Sequence, residues 1–467
     1  MRSYFFVLLV TCWMSPCKIF GQPLWESIGG GVDNFVLDIT YDSISNQLHL
    51  CGFFKFAGGI EVNQTTSWDG HSWNLLGQGA GFSDSCQLQN CSDLHWIVPY
   101  NSEVIVGGTI GVFDSVWRIS NLNRFDGTNW LPFGFPNSAS VPIKCNNRLF
   151  VGGDELTEIG GLPVNNLAIW NDSTWEAFGG PLDFEGGYLI TAEYYQGQYH
   201  FAGNFRHNTA LKEIIKWDGL QWQPLAEGIK GLGAAVNRIK NYQGLLYVGG
   251  EFNWAEDNAD DYLMAWDGYQ WLETFPEVQY VSQVNELEVI DGKLYIVGQH
   301  HVFKDGVWNG PYNLAHYDGI EFCSFGGPYF QVEDIAGLNG EIYISTNPAT
   351  SPGALQFFAK YIGTSQDEIC IAQSTPNGTN TPSAKLLSIY PNPTGGQVNV
   401  SYLASEIGPI HISLFDPHGR RVQTWNFETS TLGINVFHLD LNAVAKGLYS
   451  LQLKSGDHLD QIKLVRQ

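Results

Sequence analysis

Short hydrophobic segments with alternating polar residues recur along most of the chain, and each ends at small or turn-forming residues. The clearest example lies at residues 245–271, where one apolar run leads into Gly249-Gly250 and a second leads into Trp266-Asp267-Gly268. Runs of this length bounded by glycine or Asp-Gly indicate β-hairpins, because glycine accepts the positive φ angles of tight turns. We therefore predict four β-strands in each such repeat, named a to d in chain order.

The same arrangement is found seven times between residues 25 and 363. A small residue ends the second strand of each repeat, and an aromatic residue ends the third. The small residues are Gly52, Gly107, Gly152, Gly203, Gly249, Gly298 and Ser345, and the aromatic residues are Trp68, Phe125, Trp170, Trp217, Trp266, Tyr317 and Tyr361. The aromatic positions are spaced about 49 residues apart on average. Periods of about 40–50 residues with strand signals indicate propeller blades.

The N-terminal segment supplies a strand that the last repeat lacks. In the first six repeats a second aromatic residue follows the first by five positions, but none follows Tyr361. The sequence LWESIG at residues 24–29 matches SWNLLG at residues 72–77, which is a fourth strand. We predict that this segment completes the last blade and closes the ring, which removes exposed sheet edges. The predicted fold is all-β, with a seven-bladed β-propeller over residues 22–363.

Glycine pairs after the second strand, with paired aromatic residues on the third and fourth strands at this period, resemble kelch-type propellers. The resemblance covers about 340 residues, and tryptophan often replaces the tyrosine that the family has in the third strand. Some kelch-like propellers are copper radical oxidases, whose tyrosine, histidine and cysteine-modified tyrosine ligands are not assignable here. The resemblance therefore implies a fold and leaves the activity open.

The regular recurrence of carboxylates and tryptophans along the chain has a structural explanation. Five aspartates directly follow third-strand aromatic residues and precede glycine, which predicts turn formation rather than catalysis. They are Asp69, Asp126, Asp218, Asp267 and Asp318. The repeated tryptophans are predicted to pack between neighbouring blades, since large aromatic side chains fill the space between twisted sheets.

Composition excludes several classes of partner. The 467 residues include 47 Asp+Glu and 23 Lys+Arg, a net charge of −24. Such a charge repels phosphate backbones and anionic lipid, so we expect no nucleic-acid partner. No later segment has the roughly 18 apolar residues of a membrane-spanning helix. We expect a monomer without a membrane span.

Residues 1–21 are predicted to be a secretory signal peptide. Arg2 precedes an apolar run at residues 4–10, and Ile19-Phe20-Gly21 offers a cleavage site. An exported protein can form disulfides. We predict one between Cys86 and Cys91.

Four further cysteines follow in the chain. Cys323 and Cys370 are a further candidate disulfide that spacing alone does not establish. Cys51 and Cys145 are predicted to be buried free thiols within strands.

The sequence changes character after residue 363. Residues 364–385 are rich in Ser, Thr, Asn and Pro and are predicted to be a linker. Residues 386–467 carry six acidic and six basic side chains, so the acidic excess lies upstream and this segment is a separate module. Its predicted strands are 397–402, 410–415, 422–427, 435–441, 447–453 and 461–465. About six short strands in this length predict a small immunoglobulin-like β-sandwich.

Four motifs in this module are similar to the type A C-terminal sorting domain of the type IX secretion system. They are Tyr390-Pro391-Asn392-Pro393, Leu414-Phe415-Asp416-x-x-Gly419, Lys446-Gly447-Leu448-Tyr449 and Lys463-Leu464-Val465-Arg466. The resemblance implies export across both membranes of a Gram-negative bacterium and makes the secretion machinery a partner. It assigns the sorting signal to Tyr390, Pro391, Asn392, Pro393, Asp416, Gly419, Gly447, Tyr449, Lys463 and Arg466.

The longer loops are predicted to lie on one face of the ring, between strands b and c and between strands d and a. They include residues 78–92, 109–121, 252–263 and 299–313. Trp117, Trp254 and Trp308 fall in these loops outside the repeat register, and exposed aromatic residues bind sugars or protein partners. The alternative is that they cap the blade ends as local core.

One of these loops is acidic. Glu256, Asp257, Asp260 and Asp261 offer oxygen ligands for Ca²⁺, but their spacing differs from the 12-residue calcium loop. A solvated loop is therefore the preferred interpretation. We keep Asp257, Asp260 and Asp261 as candidate ligand-binding residues, predict no other cofactor and assign no metal site.

Two functions remain open from the sequence. The favoured one is a secreted or cell-surface binding and adhesion module for a glycan or protein ligand, acting through the b–c/d–a face. The alternative is a secreted carbohydrate-active or copper-dependent enzyme at the propeller mouth. Neither a His-Glu-x-x-His motif nor a Gly-x-Ser-x-Gly motif is present. His300 and His301, in a predicted b–c loop, are adjacent, but we assign no catalytic residue.

Overall fold

The structure is a computed structural model. It describes residues 24–80, 92–113, 117–138, 140–153, 156–180, 182, 187–205, 213–226, 228–229, 234–252, 260–325, 331–347, 357–364, 367–373, 385–390, 394–404, 408–428, 433–456 and 458–467. Every named element in these ranges is a β-strand. Within the same ranges there is no helix with the length and apolarity that a membrane span requires.

Thirty-three strands are described before residue 374. In chain order they are β1 (Trp25–Ser27), β2 (Val36–Asp42), β3 (Gln47–Gly52), β4 (Phe56–Ala57), β5 (Ile60–Glu61), β6 (Thr65–Trp68), β7 (Trp73–Leu75), β8 (Ser92–Tyr100), β9 (Glu103–Phe113), β10 (Trp117–Phe125), β11 (Trp130–Pro132), β12 (Ser140–Cys145), β13 (Arg148–Gly153), β14 (Glu158–Ile159), β15 (Leu162–Pro163), β16 (Leu167–Trp170), β17 (Trp175–Ala177), β18 (Gly187–Tyr195), β19 (Gln198–Phe205), β20 (Ile214–Trp217), β21 (Trp222–Pro224), β22 (Ala235–Tyr242), β23 (Leu245–Glu251), β24 (Leu263–Trp266), β25 (Trp271–Glu273), β26 (Val278–Ile290), β27 (Lys293–Lys304), β28 (Val307–Tyr317), β29 (Glu321–Phe325), β30 (Val332–Leu338), β31 (Glu341–Thr346), β32 (Phe358–Tyr361) and β33 (Glu368–Ala372).

These strands form seven larger antiparallel sheets among the described residues. Sheet 1 contains β2, β3, β6 and β7, sheet 2 contains β8 to β11, sheet 3 contains β12, β13, β16 and β17, sheet 4 contains β18 to β21, sheet 5 contains β22 to β25, sheet 6 contains β26 to β29 with β33, and sheet 7 contains β30 to β32 with β1. Two short hairpins, β4–β5 and β14–β15, accompany them. The four-strand repeat expected from the sequence is therefore present in each larger sheet.

The first strands of the sheets contact one another in sequence. β8 contacts β2 and β12, β18 contacts β12 and β22, and β26 contacts β22 and β30. The first strand of sheet 7, β30, also contacts β2 in sheet 1. The order of contacts therefore returns to its starting point.

The N-terminal strand belongs to sheet 7, as predicted. β1 pairs with β32 so that Trp25 lies opposite Tyr361. The Trp25 ring is buried, with its centroid 5.1 Å from that of Tyr361 and 6.1 Å from that of Phe325. This strand occupies the position that the second aromatic strand holds in the other sheets.

Three of the six repeated glycines, Gly107, Gly152 and Gly249, are explained by close approach of the next sheet, and the other three approach the first strand of their own sheet. A Cβ on Gly107 would lie 2.2 Å from the carbonyl oxygen of Ser140, and one on Gly249 would lie 2.5 Å from the Val284 side chain. Ser140 and Val284 belong to the first strands of the following sheets. A larger residue at either glycine would push neighbouring sheets apart.

The paired aromatic residues pack as predicted. Trp68 lies opposite Trp73 across the β6–β7 turn, and their ring centroids are 4.9 Å apart. The Trp73 indole donates to the carbonyl of Gly29 at 2.9 Å, which links sheet 1 to the end of β1 in sheet 7. The Asp69 carboxylate accepts the backbone N–H groups of the turn, and these bonds lower its pKa to about 2. Packing and turn formation thus account for the repeat residues.

Two predicted loops are strands instead. The interval 299–313 forms the β27–β28 hairpin, which turns at Asp305-Gly306, and most of the interval 109–121 belongs to β9 and β10. In these two repeats the pairing of the second and third strands continues past the predicted strand ends, as far as Lys304 opposite Val307 and Phe113 opposite Trp117. In the predicted linker, β33 pairs with β29 as the fifth strand of sheet 6, while residues 374–384 lie outside the described ranges.

The C-terminal module contains seven described strands in two sheets that share one apolar core. They are β34 (Lys385–Tyr390), β35 (Gln397–Ala404), β36 (Pro409–Phe415), β37 (Arg421–Glu428), β38 (Gly433–Asp440), β39 (Gly447–Ser455) and β40 (His458–Arg466). The sheet orders are β34-β35-β38 and β37-β36-β39-β40. All six strands predicted here are present, and β34 is an addition.

Candidate functional site: the central cavity

A cavity of about 830 Å³ lies where the first strands of the seven sheets meet. Its wall is formed by β2, β8, β12, β18, β22, β26 and β30 and by turns that follow several of them. Concave spaces of this size with convergent polar groups are where small ligands usually bind. We therefore take this cavity as the candidate site.

Bulges in the first strands aim side chains into the cavity. The pairing register shifts in six of the seven first strands among the described residues, and the residue after each shift lines the cavity. A bulge redirects the side chain that follows it. These six residues, here called the inner layer, are Asp38, Trp96, Thr191, Arg238, Glu286 and Asp334.

A second layer lies two residues further along each strand, because side chains two apart share a face. It consists of Thr40, Val98, Glu193, Lys240, Glu288 and Ala336, with Lys144 from β12. The mouth of the cavity is formed by Tyr41, Asn146, Asn147, Asp291 and Asn339, at or beside the turns after the first strands. The cavity therefore becomes less charged and more amide-rich toward its opening.

Two inner-layer carboxyl groups join neighbouring sheets. Asp38 accepts the backbone N–H of Ile97 at 2.7 Å, and Asp334 accepts that of Ile39 at 2.6 Å. Asp38 thus joins sheet 1 to sheet 2, and Asp334 joins sheet 7 to sheet 1. These bonds fix the spacing of the cavity wall.

The same two carboxyl groups are hydrogen-bonded to each other. Burial raises the pKa of Asp38 to about 6, and burial together with the neighbouring Asp38 charge raises the pKa of Asp334 well above its usual range. Two adjacent carboxylates repel, so the pair retains a proton near neutral pH. The pair can therefore both donate and accept a hydrogen bond.

Two ion pairs complete the charged wall. Arg238 Nε lies 2.5 Å from Glu286 Oε2, and Lys240 Nζ lies 2.8 Å from Glu288 Oε2. Burial raises the pKa of Glu286, and the Arg238 guanidinium opposes that rise. Each cation comes from sheet 5 and each partner from sheet 6, so the pairs also tie these sheets together.

The cavity extends toward the turns between first and second strands, whereas the predicted binding face consists of b–c and d–a connections. The described residues that line it extend from the bulges to the turns between first and second strands, and they include none from the described b–c or d–a connections. The predicted ligand residues therefore do not belong to it.

The structure describes only part of the predicted tryptophan set. Trp308 lies in β28, is 48% exposed and has its ring centroid 5.2 Å from that of Phe303. With Val307 these two residues form an exposed tip, here called the aromatic hairpin. Trp117 begins β10, but its side chain, like Trp254 and Asp257, lies outside the described residues. The prediction that Trp117, Trp254 and Trp308 contribute to one ligand-binding face is therefore still a prediction.

The described part of the acidic loop is engaged within the fold. Asp260 accepts the backbone N–H of Asp261 at 2.8 Å and bonds of 3.4 Å from Thr274. Burial raises the pKa of Asp260 to about 6. Clusters of three or more metal-ligating side chains among the described residues do not include Asp260 or Asp261. Calcium binding here stays a prediction.

His300 is part of the sheet-6 core rather than of a loop. Its Nδ1 lies 2.9 Å from the carbonyl oxygen of Gly298, and its Nε2 lies 2.8 Å from Ser324 Oγ. Burial lowers its pKa to about 4, so the ring is neutral at pH 7. Since both ring nitrogens are engaged, the adjacent His300 and His301 give no support to a copper site.

The described cysteines agree with the sequence predictions. Cys323 and Cys370 form a disulfide with an S–S distance of 2.03 Å, and Cys51 and Cys145 are buried free thiols. Cys86 and Cys91 lie outside the described residues.

Seven of the ten predicted sorting residues lie in the described part of the C-terminal module, in its strands or in the β36–β37 turn. Asp416 accepts backbone N–H groups of the β36–β37 turn, in which Gly419 has a φ of +77°. The Tyr449 hydroxyl donates to the carbonyl of Ala445 at 2.8 Å. Gly447 begins β39, Lys463 and Arg466 lie in β40, and Tyr390 ends β34. Pro391, Asn392 and Pro393 lie outside the described residues.

The inner layer was missed by sequence reasoning. Its signal is a residue of variable type that directly precedes a buried aliphatic residue in the first strand of each repeat, as in Asp38-Ile39, Glu286-Leu287 and Asp334-Ile335. Aligning the repeats on those aliphatic residues exposes the position.

Comparison with known proteins identifies the C-terminal module. Residues 388–467 match the family described as the secretion system C-terminal sorting domain. This is the sorting domain of the type IX secretion system, so the protein is exported to the cell surface or the extracellular space in Bacteroidetes. The secretion machinery is accordingly a partner of this domain.

The remaining comparisons add little to the upstream region. A search of curated proteins finds no match. One similar solved structure is PorZ, described as an essential bacterial surface component of the type IX secretion system of Porphyromonas gingivalis. It is 12% identical, with a TM-score of 0.33 and coverage of 93% of this chain and 66% of that one. The chain thus spans slightly less than two thirds of the length of PorZ. The resemblance to kelch repeats stays a prediction.

Proposed function

We propose that residues 22–363 form a seven-bladed β-propeller that acts as an extracellular binding module. The seven consecutive sheets of the described chain, the circular order of contacts among first strands and the pairing of β1 with β32 support the propeller. The sorting domain supports a site of action at the cell surface or outside the cell.

The central cavity carries this proposal. Its volume of about 830 Å³ accommodates a few sugar rings, and Thr40 and Lys144 of its second layer and Asn147 at its mouth line it. Ammonium, hydroxyl and amide groups bond to sugar hydroxyls, while the exposed ring of Tyr41 offers a stacking surface at the mouth. A glycan is therefore the ligand class we propose.

The aromatic hairpin is a second contact surface for the same module. Phe303 and Trp308 are 40% and 48% exposed, and Val307 between them is 61% exposed. Exposed aromatic and aliphatic side chains at a hairpin tip suit a protein surface or a sugar face. Ligand binding by the b–c/d–a face predicted from the sequence is thus proposed in addition to binding in the cavity.

The full secreted chain would be tested on a glycan array and in polysaccharide pull-downs, with product analysis of every hit. Thr40→Trp fills the cavity and retains a residue that suits a strand, whereas Trp308→Ala trims the aromatic hairpin. Loss of binding in Thr40→Trp with binding kept in Trp308→Ala supports the cavity. The reverse result assigns the ligand to the hairpin, and binding unchanged in both variants contradicts the proposal.

A secreted carbohydrate-active enzyme is the second candidate, and the carboxyl pair favours it. A protonated and an ionised carboxyl in one cavity can supply the acid and the base of a hydrolysis, and the roughly 5–9.5 Å between glycosidase carboxyl groups would require the ligand to part this hydrogen-bonded pair. Asp38→Asn and Asp334→Asn keep an oxygen that accepts the inter-sheet hydrogen bond but remove the titrating group. Cleaved ligand whose formation stops in both variants would make the protein an enzyme, whereas intact ligand throughout supports the binding module.

A further inference from the structure

Four side chains on sheet 6 converge around the disulfide. His316 lies opposite Cys323 in the β28–β29 pairing, and Cys323 lies opposite Cys370 in the β29–β33 pairing. Glu368 precedes Cys370 by two residues and therefore shares its face of β33. The cross-strand register thus places one imidazole, two sulfurs and one carboxylate in a single group.

The donor atoms of this group are already close. His316 Nε2 lies 3.0 Å from Glu368 Oε2, and the ligand atoms of His316, Cys323 and Glu368 all lie within 4.8 Å of one another. Zinc bonds of about 2.0–2.3 Å place the donors of a tetrahedral site roughly 3.3–3.8 Å apart. The Cys370 sulfur does not belong to this group of three and is bonded to that of Cys323, so it must turn toward His316 and Glu368 once the disulfide is open.

The surroundings also suit a metal centre. His316 and Cys323 are 3% and 4% exposed, and His316 Nδ1 has no hydrogen-bond partner in the described structure. The rings of Tyr295 and Phe325 lie within 5.6 Å of the imidazole, centroid to centroid, and hold its orientation. Sulfur, imidazole and carboxylate donors together are the set that Zn²⁺ prefers.

We propose that the reduced protein binds one Zn²⁺ through Cys323, Cys370, His316 and Glu368. The disulfide in the oxidised protein and the metal in the reduced protein would each hold β33 against β29. Reduction by a dithiol converts the disulfide to two thiols as the dithiol becomes a disulfide. Zinc then binds both sulfurs as thiolates, and the two thiol protons go to solvent. In either state the strand that precedes the segment leading to the sorting domain stays attached to sheet 6.

The test uses the full chain, with Co²⁺ as a spectroscopic probe. A phosphine reductant opens the disulfide, its phosphorus taking an oxygen atom from water while the sulfurs take two protons. The expected result is one equivalent of tetrahedral, thiolate-ligated Co²⁺ in the reduced protein and none in the oxidised protein. Zn²⁺ should displace the Co²⁺ and raise the Tm of the reduced protein.

Variants assign the ligands. Cys323→Ser/Cys370→Ser should abolish the thiolate-to-cobalt absorption, and His316→Gln should weaken binding at least tenfold. The double variants Cys86→Ser/Cys91→Ser and Cys51→Ser/Cys145→Ser are controls that should retain it, since the proposed site uses neither pair. Absence of binding in the reduced wild type overturns the proposal. Thiolate-to-cobalt absorption that survives Cys323→Ser/Cys370→Ser, or binding that is unchanged in His316→Gln, also overturns the four-ligand assignment.

Discussion

The outer strands and the inner strands of the seven described sheets follow opposite sequence rules. On the outer strands nearly every repeat has the same pair of aromatic residues, as in Trp68 with Trp73 and Trp266 with Trp271. On the inner strands the equivalent position changes from one sheet to the next, from Asp38 to Thr191 to Arg238. Repetition thus marks what holds the sheets together, and variation marks the wall of the central cavity.

Replacing a repeated outer residue should have the largest effect. Trp68→Ala removes a side chain that is 4% exposed and packed on Trp73, so we expect a loss of about 3–5 kcal/mol in the free energy of unfolding. Denaturant titration measures it. Tyr269→Ala, at a 68% exposed turn position, is the control and should change stability by less than about 0.5 kcal/mol. Equal losses in both variants would remove the distinction between repeated and surface aromatic residues.

An inner-layer charge should come next. Arg238→Met leaves Glu286, Asp38 and Asp334 without their shared cation, and we expect a loss of about 3 kcal/mol at pH 7. Adding Glu286→Leu removes one stranded carboxylate, so the double variant should recover part of that loss. If the double variant is less stable than Arg238→Met, the contribution of Arg238 to stability does not come from its ion pair with Glu286.

The Asp38–Asp334 pair should make the free energy of unfolding depend on pH. Burial raises the pKa of folded Asp38 to about 6, above an unfolded value near 4. The folded state therefore holds this proton more tightly, and the associated stability is complete below about pH 4 and lost as the pH rises through about 6. Relative to Asp38→Asn, the wild type should lose on the order of 2 kcal/mol between pH 4 and pH 7.

That difference is measured by denaturant unfolding of both proteins across the pH range. The lowered pKa of Asp69 favours folding as the pH rises, but it is common to both proteins and cancels. A flat difference would mean that Asp38 does not titrate in this interval.

The smallest effect on stability is expected at Lys144. This side chain lines the cavity and is exposed, so Lys144→Ala should change the free energy of unfolding by less than about 0.5 kcal/mol. Under the proposed function the same variant should weaken ligand binding about tenfold, as measured by titration calorimetry. A large loss of stability would instead give this non-repeated position a structural role.

The same contrast explains how much the sequence could predict. Trp68, Gly107 and Asp69 indicate the fold because packing, close approach and turn geometry favour an aromatic residue, a small residue and an aspartate at these positions in most sheets. Asp38 and Arg238 carry no such signature, since each differs from its counterparts and meets its partner from another sheet, which a linear pattern does not show. The cavity was therefore missed while the four-strand repeat was found.

Strand length was the other weak point. The segment around His300 and Trp308 was predicted to be a loop because the second strand was expected to end at Gly298. In the structure the excess residues lengthen β27 and β28, whose pairing continues to Lys304 opposite Val307. Period alone fixes where a repeat starts, whereas the extent of each hairpin depends on cross-strand pairing that varies from sheet to sheet.

The pairing of β1 with β32 also bears on how the molecule is made. Trp25 and Tyr361 are neighbours in space but belong to opposite ends of the repeat region, so their contact has a very high sequence separation. Contacts of this kind form late, because a long loop must close before they stabilise anything. During synthesis sheets 1 to 6 can assemble as hairpins one after another, while sheet 7 waits for residues near position 361. The nascent chain therefore keeps an open edge until residues near position 361 of 467 are available, and folding of this region is completed only after the whole repeat region has been made.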